Sequence, residues 1–454
     1  MGKWRLRIGY GVADLACTLI FSMVASYLMI FYTDVFGISA AVAGTMMFAT
    51  RIAEGFMDIL AGLIVDRTNT RWGRNRPFFL FGAIPLGLIT IAVFYAPPLQ
   101  GNWKIVYAFV SYVILSFIYA IVNIPLSSIL PTLTSDSKER TVLVTTRMIF
   151  SMIAATIITT FTTPLVRHFG NDDPGRGYLS TITIYATIAV ILFFVTFKNT
   201  EEKIQPAAKG KKSSVKKDFQ SLNSQCLVMF LFGLLYFSMF NIRSTSVIYY
   251  FTYNLEKIEL IPTIGILGTF SGLPVLLLLP YITGKIGKRN AVITGAVIYI
   301  LGTLTIWFAQ STTPILMCGL VATGCGMYLI QATFFTICPD VIDYCEYTSG
   351  QSIAGMITAC SGFLSNIAMG ASSSLLGHLL KAGGYVANQK QTASALRSIQ
   401  ISFIWVPITL CLAIIVLMQF YKLDRRMPEV QKELARRRGL SKKAPAQMPD
   451  IIKQ

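Results

Sequence analysis

Apolar runs long enough to cross a bilayer recur along almost the whole chain, and this repetition limits the fold more than any other feature of the sequence. A spanning helix needs about 20 mainly apolar residues. Such stretches are predicted at 9–33, 39–65, 77–97, 103–131, 140–167 and 178–198. They recur at 222–252, 259–283, 289–309, 313–337, 351–381 and 398–421. Of the 454 residues, 54% are hydrophobic and 13% charged, against about 25% charged in soluble domains. That is too little charge to cover a water-facing surface. Lipid satisfies no backbone hydrogen bond, so spanning segments of this length must be helices. The stretch after Met1–Arg7 is too long for a signal peptide and lacks a small-residue cleavage site, so it reads as the first span. The polar, Lys-rich segment 199–221 divides the chain. The expected fold is an all-α integral membrane protein: a six-helix bundle over 1–198, a linker, a second bundle over 222–421, and a basic tail over 422–454.

The net charge is +18. On a soluble chain that would point to nucleic acid. Here the cations lie between apolar runs, so membrane topology explains them and no nucleic acid is expected. With the N-terminus inside, the inner segments hold most of the 39 Lys and Arg, while the outer loops hold Lys104, Arg167, Arg176, Lys257, Lys381, Lys390 and Arg397. Positive residues stay on the cytoplasmic side, so both termini are expected there. A weak repeat supports the six-plus-six division. Gly62 to Arg67 and Arg71-Trp-Gly73-Arg74 follow the second span, and Thr283-Gly-Lys285-Ile-Gly287-Lys288-Arg289 follows the eighth. Two related halves around a central cavity is a plan that carriers use. The eight cysteines sit in or beside apolar runs without zinc-ligand spacing. No nucleophile–base pair, metal-ligand set or phosphate loop is seen, so neither an enzyme, a cofactor protein nor an ATP-driven pump is expected. The chain is expected to work as a monomer in the lipid bilayer.

Charges inside a span are costly and mark functional candidates. The second span carries Arg51, Glu54 and Asp58. At about 100° per residue they share one helix face, which must look at a cavity or a partner. Two carboxylates one turn apart can offer hard oxygens to Na⁺ or share a proton. Alternatively, an ion-paired knot with Arg51 would only fasten helices. Asp14, Arg147 and Arg243 are further deep charges. Arg147 can answer the surplus acid, bind a substrate hydroxyl or carboxylate, or form a structural salt bridge, and Arg243 either faces the cavity near a helix turn or plays a structural role. Tyr119, Asn123 and Ser127 recur every four residues beside Pro125. They form a polar stripe suited to a polyol or to interhelical hydrogen bonds.

Several motifs in order resemble the glycoside–pentoside–hexuronide:cation symporter family, the group of the melibiose permease, within the major facilitator superfamily. They are Tyr10-Gly-Val-Ala-Asp14; Phe31-Tyr-Thr-Asp34-Val-Phe-Gly37; Arg51 to Asp58; Asn69-Thr-Arg-Trp72-Gly-Arg-Asn-Arg76-Pro77; Val122-Asn-Ile-Pro125; Pro339-Asp340-Val-Ile-Asp343-Tyr344-Cys-Glu346-Tyr347; and Gly384-Tyr385-Val-Ala-Asn388. TRWGRNRPFFLFG and VNIP look most like the bacterial glucuronide carrier branch. The resemblance implies that Glu54 and Asp58 bind the coupling H⁺ or Na⁺ in a bacterial inner membrane; desolvation and like-charge repulsion of two acids one turn apart favour a shared H⁺. The sugar site is expected at mid-membrane between the halves, with Asp14, Thr18, Tyr119, Asn123, Ser127 and Arg147 on one wall and Asn241 and Asn366 on the other. Asp66, Arg67, Arg74, Asp340, Asp343 and Glu346 fall in the family's cytoplasmic gating motifs. The chain also departs from the pattern. Thr18 and Asn123 stand where the melibiose permease has acids, Ser127 where it has a Trp, and Asn366 where many members have a Lys. Ser352 and Ala354 replace the usual Arg and Glu. Those replacements leave uncoupled facilitation, or a non-sugar solute, as alternatives. Arg147 and the branch resemblance together suggest an anionic glycoside such as a glucuronide.

Overall fold

A computed structural model describes residues 3–68, 70–133, 137–171, 173–202, 223–309, 312–349 and 354–437. Helices stand at all twelve predicted spans. In the N-terminal half these are α1 (Lys3–Ile30), α2 (Ala40–Arg67), α3 (Arg76–Phe81 and Ala83–Val93), α4 (Asn102–Ser128), α5 (Ser137–Gly170) and α6 (Pro174–Asn199). In the C-terminal half they are α7 (Ser224–Tyr249), then α8 and α9, the two arms of Ile261–Phe308. α10 (Thr313–Ser349), α11 (Ala354–Ala382) and α12 (Ala393–Gln400 with Val406–Met418) follow. A short amphipathic helix, α13 (Met427–Arg437), ends the described chain. Eight helical stretches are long and apolar enough to cross a membrane, and one of them, Ile258–Phe308, contains both α8 and α9. The polar helices α2 and α11 are not among those eight. Linker residues 203–222, tail residues 438–454 and Ser352 lie outside the described residues.

Local chemistry sets the helix ends. Asp173 accepts from the backbone N–H groups of Gly175 and Arg176 at the start of α6, and Asn223 does the same for Gln225 and Cys226 at the start of α7. These caps satisfy donors that a helix start leaves open. One apolar cluster fills the N-terminal half and runs on through the far end of the C-terminal half, where it takes in Tyr249, Ile306, Leu316, Leu380 and Phe403, while a second fills the rest of the C-terminal half. Outward-facing Leu277 and Phe308 are 79% and 76% exposed. A water-facing surface would not leave such rows open, whereas lipid covers them.

The weak sequence repeat has a structural counterpart at both ends of the bundles. At the end far from the termini, α1 and α7 each finish in a π-turn, Phe31–Val35 and Tyr250–Asn254. Phe36 N–H bonds to Phe31 O and Ile38 N–H to Tyr32 O; Leu255 N–H bonds to Tyr250 O and Lys257 N–H to Phe251 O. Gly37 and Glu256, at matching places, both have positive φ. Asp34 and Tyr253 are therefore equivalent positions in the two halves. At the other end, the α2–α3 turn is held by Glu202, whose Oε1 accepts from the N–H of Asn75 at 2.6 Å. The α8–α9 turn is held likewise by Asp424, whose Oδ2 accepts from the N–H of Arg289 at 2.9 Å. Each turn passes through a left-handed glycine, Gly73 (φ 104°) or Gly287 (φ 81°). A Cβ there would meet the capping carboxylate at 2.7 or 2.8 Å, so glycine is required twice over.

The halves join through three helix pairs. Thr245 of α7 donates to Ala25 O of α1 at 3.2 Å, and Thr160 of α5 to Pro262 O of α8 at 3.3 Å. Gly377 of α11 packs so closely on α2 that a Cβ would lie 2.2 Å from Ala40 O. These seams lie toward the far end. Toward the termini, Gly62, Gly284 and Gly362 have open space beside them, and Leu63, Ile64 and Tyr281 are exposed. The close approaches described between the halves thus lie toward the far end.

Candidate substrate and cation site between the bundles

The face predicted on α2 is present, and its three charges are not equivalent. Arg51 Nη1 donates to Glu54 Oε2 at 2.7 Å, and both side chains are buried. The knot with Arg51 therefore exists, but it takes only one of the two acids. Asp58, one turn nearer the termini, is half-buried and has Asn366 of α11 beside its carboxylate. Gly55 and Gly370 let the two helices meet there: added Cβ atoms would strike Phe363 at 2.5 Å and Arg51 Cβ at 2.9 Å.

Asp14, Thr18 and Phe21 occupy one face of α1. Arg147 Nε of α5 donates to Asp14 Oδ1 at 2.7 Å, and its Nη1 lies 3.5 Å from Ser127 Oγ of α4. One turn along, Thr18 and Ser151 hydroxyls are 2.8 Å apart. The Phe21 ring packs on Tyr119 with centroids 6.4 Å apart, and the Arg51 guanidinium lies 5.7 Å over Phe21. Asn123 is half-buried. At 1.5 Å rise per residue, the Asp14–Arg147 pair lies about 10 Å nearer the termini than Phe21. The described structure thus gathers Asp14, Thr18, Tyr119, Asn123, Ser127 and Arg147 on the N-terminal wall, with Glu54, Asp58 and Asn366 alongside. Phe21 and Ser151 escaped the sequence reading, although both keep helical spacing from residues it named.

Two residues fall elsewhere. The Asn241 amide donates to Met369 O at 2.8 Å and to the hydroxyls of Ser372 and Ser373 at 3.0 and 2.8 Å. With 2% exposure it fastens α7 to α11 and does not line the cleft. Arg243 turns the other way, into its own bundle. Its guanidinium lies 3.7 Å over the Phe403 ring and donates to Phe403 O at 3.4 Å. That carbonyl belongs to the π-turn Ile401–Trp405, so of the two readings of Arg243 the structural one fits: it braces α12.

The residues expected in gating motifs belong to loops and helix ends on the side of the termini. Arg74 Nε donates to Val65 O at 3.2 Å, tying the loop to α2. Lys288 pairs with Asp340 at 2.5 Å and also donates to Thr336 O. Asp343 and Glu346 follow on α10, and Arg67 is exposed. The Asp66 side chain lies outside the described residues.

A group absent from the predicted sites closes the far end. Asp34 accepts from the Tyr253 and Tyr385 hydroxyls, the second at 2.7 Å, and Asn388 Nδ2 donates to Asp34 O at 2.5 Å. Beside it the Thr33 and Tyr249 hydroxyls are 2.9 Å apart. Every one of these bonds joins the N-terminal half to the C-terminal half.

Comparison with known proteins agrees with this architecture. A family profile described as MFS/sugar transport protein matches residues 9–425. The chain is 35% identical to the isoprimeverose transporter of Lactiplantibacillus pentosus, over 96% of this chain and 92% of that one. It is 31% identical to a putative glycoside/cation symporter of Escherichia coli (strain K12), over 95% of each. Among solved structures, a D-xylose-proton symporter superposes with a TM-score of 0.67 at 11% identity, covering 93% of this chain and 98% of that one. The chain is a multi-pass membrane carrier rather than an enzyme, and it belongs to the MFS/sugar transport protein family, in the glycoside symporter group that its motifs resemble.

Proposed function

We propose that the chain is a sugar or glycoside:cation symporter of the bacterial cytoplasmic membrane, with both termini inside, working by alternating access. What supports this most is the meeting of two groups in one cleft. Hydroxyl, amide and aromatic side chains on α1, α4 and α5 suit a polyol, and the acids of α2 suit a cation. The carboxylate open to the cation is Asp58, because Arg51 already holds Glu54. A proton needs only one carboxylate, whereas a Na⁺ shell needs oxygens from several groups, so the reading favours H⁺. The cleft opens on the side of the termini, which corresponds to an inward-facing carrier. Counterflow of labelled sugars into proteoliposomes, with and without imposed H⁺ or Na⁺ gradients, tests the proposal. Accumulation should follow the H⁺ gradient. Counterflow of no sugar or glycoside refutes the reading, and accumulation driven by Na⁺ at clamped pH refutes the ion.

One observation favours a second reading. Neutral Asn366 stands beside Asp58, where the resemblance implies a Lys that would pair with the acids. A site without that cation could work as an uncoupled facilitator. Counterflow undiminished by gradients, with no uphill accumulation under either ion, would favour it.

A further inference from the structure

We propose that the C-terminal bundle holds a small monovalent anion of the halide class beside Arg243, between α7, α9 and α12. The inference goes beyond the transport reading and does not depend on it. Arg51, Arg147 and Arg243 all lie inside spans. Arg51 is matched by Glu54 and Arg147 by Asp14, each at 2.7 Å. Arg243 is not matched in this way. It lies within the span Ser224–Asn254 and is 8% exposed. Its polar neighbours are Tyr299 of α9 and Tyr250, and no carboxylate pairs with it among the described residues. Phe403 supplies its only described contacts, the ring at 3.7 Å and the carbonyl oxygen at 3.4 Å from Nη1. A ring face attracts a cation but does not cancel its charge. One long bond also leaves most of the guanidinium fork without an acceptor. A buried charge with no opposite charge is among the most costly arrangements in a folded chain, and the lipid outside offers no relief.

The groups around the guanidinium complete the case. Tyr299 and Thr303, one turn apart on α9, are fully buried, and their hydroxyls have no hydrogen-bond partner among the described residues. Tyr299 stands next to Arg243, and Thr303 next to Tyr299. Buried hydroxyls are nearly always bonded, so two open ones beside an unmatched cation point to a missing acceptor. Water would answer the hydrogen bonds but not the charge. An anion answers both, accepting from Arg243, Tyr299 and Thr303 at once. The surroundings limit its size. Tyr250 stacks on Phe403 with centroids 4.4 Å apart, and Cys411, which adjoins Tyr299, has its Sγ 3.2 Å from Met239 Sδ. Packing this close suits a single-atom ion better than an organic anion. Arg243 also faces away from the cleft, so a transported substrate is not the ligand. Seated there, the ion would tie α7 to α9 and hold Arg243 against the π-turn of α12.

The experiment measures Tm of the purified protein in sodium chloride, bromide and gluconate at equal ionic strength, together with equilibrium binding of radioactive chloride. No sugar is present, so the result is separate from the transport reading. The wild-type Tm should be about 3 °C or more higher in either halide than in gluconate, rising to a plateau as halide is added. Chloride should bind at about one ion per chain. Arg243→Met should abolish both effects, and its Tm in gluconate should equal or exceed that of the wild type, because an apolar side chain of similar volume removes the unmatched charge. Tyr299→Phe combined with Thr303→Val should weaken halide binding about tenfold. If Arg243 only braces α12, the wild-type Tm will be the same in all three salts and Arg243→Met will lower it in each. That result overturns the inference, as does chloride binding that Arg243→Met leaves unchanged. The wild-type measurements need no variant: absence of saturable chloride binding overturns the site even if Arg243→Met fails to fold.

Discussion

The hydrogen bonds around Asp34 should set the balance between the form closed at the far end and a form open there. Tyr385 donates to Asp34 Oδ1 at 2.7 Å, Tyr253 donates to the other carboxylate oxygen, and both tyrosines come from the opposite half. Opening the far end must break these bonds and give Asp34 to water. A hydrogen bond to a charged group contributes about 1.5–3 kcal/mol net. Water recovers part of that in the open form, so about 1–2 kcal/mol per tyrosine hydroxyl favours closure. Tyr385→Phe keeps the ring that packs on Tyr249 with centroids 5.6 Å apart and removes only the hydroxyl. Each 1.4 kcal/mol is about a factor of ten in population, so the variant should shift the equilibrium outward about 5- to 30-fold. Spin labels at the exposed positions Gln100 and Gln389, in a cysteine-free background, would report the far-end separation by pulsed EPR. A longer distance should gain population in Tyr385→Phe and more in Asp34→Asn. If neither substitution moves the distribution by as much as twofold, the far-end cluster does not hold the two halves together and the reasoning fails.

Further outcomes follow from the same geometry. Asp58→Asn should abolish uphill accumulation while sparing counterflow, and Glu54→Gln, which frees Arg51 to pair with Asp58, should do the same indirectly; full accumulation in Asp58→Asn would reject it as the coupling acid. Asn366→Lys should place a fixed cation beside Asp58 and reduce H⁺-driven accumulation about tenfold or more, measured against unchanged exchange; retained accumulation would separate Asn366 from the coupling acid. Asn241→Ala removes three donated contacts between α7 and α11 and should cost about 1–3 kcal/mol of stability, seen as a lower Tm in detergent with KM little changed; a large rise in KM at unchanged Tm would return Asn241 to the substrate wall. Gly287→Ala forces a side chain into the left-handed region against Asp424 and should cost at least about 1–2 kcal/mol; an unchanged Tm would show that the Asp424 cap is dispensable.

How far the chain could be read varies with the range of the interaction. The helices were legible because a span depends on about 20 consecutive residues and on lipid as solvent, and the helices fall where the apolar runs lie. Helical spacing likewise put Arg51, Glu54 and Asp58 on one face and Tyr119, Asn123 and Ser127 on another. The repeat was visible only as Gly and basic residues in two loops. The capping acids Glu202 and Asp424, which give those glycines their purpose, stand far away in sequence.

The sequence by itself determined the solvent, the helices, their faces and the family, because those follow from local composition, periodicity and motif order. It left open which charge answers which. Only the packed helices decided that Arg51 takes Glu54 and leaves Asp58, that Arg147 takes Asp14, and that Arg243 faces away from the cleft. The same holds for Asn241, spent on a helix contact, and for Asp34, which meets Tyr253 and Tyr385 across the seam. The physical reason is that a charge inside a membrane protein is defined by the few groups within hydrogen-bonding reach, and for Asp14 and Asp34 these come from helices more than a hundred residues away in sequence.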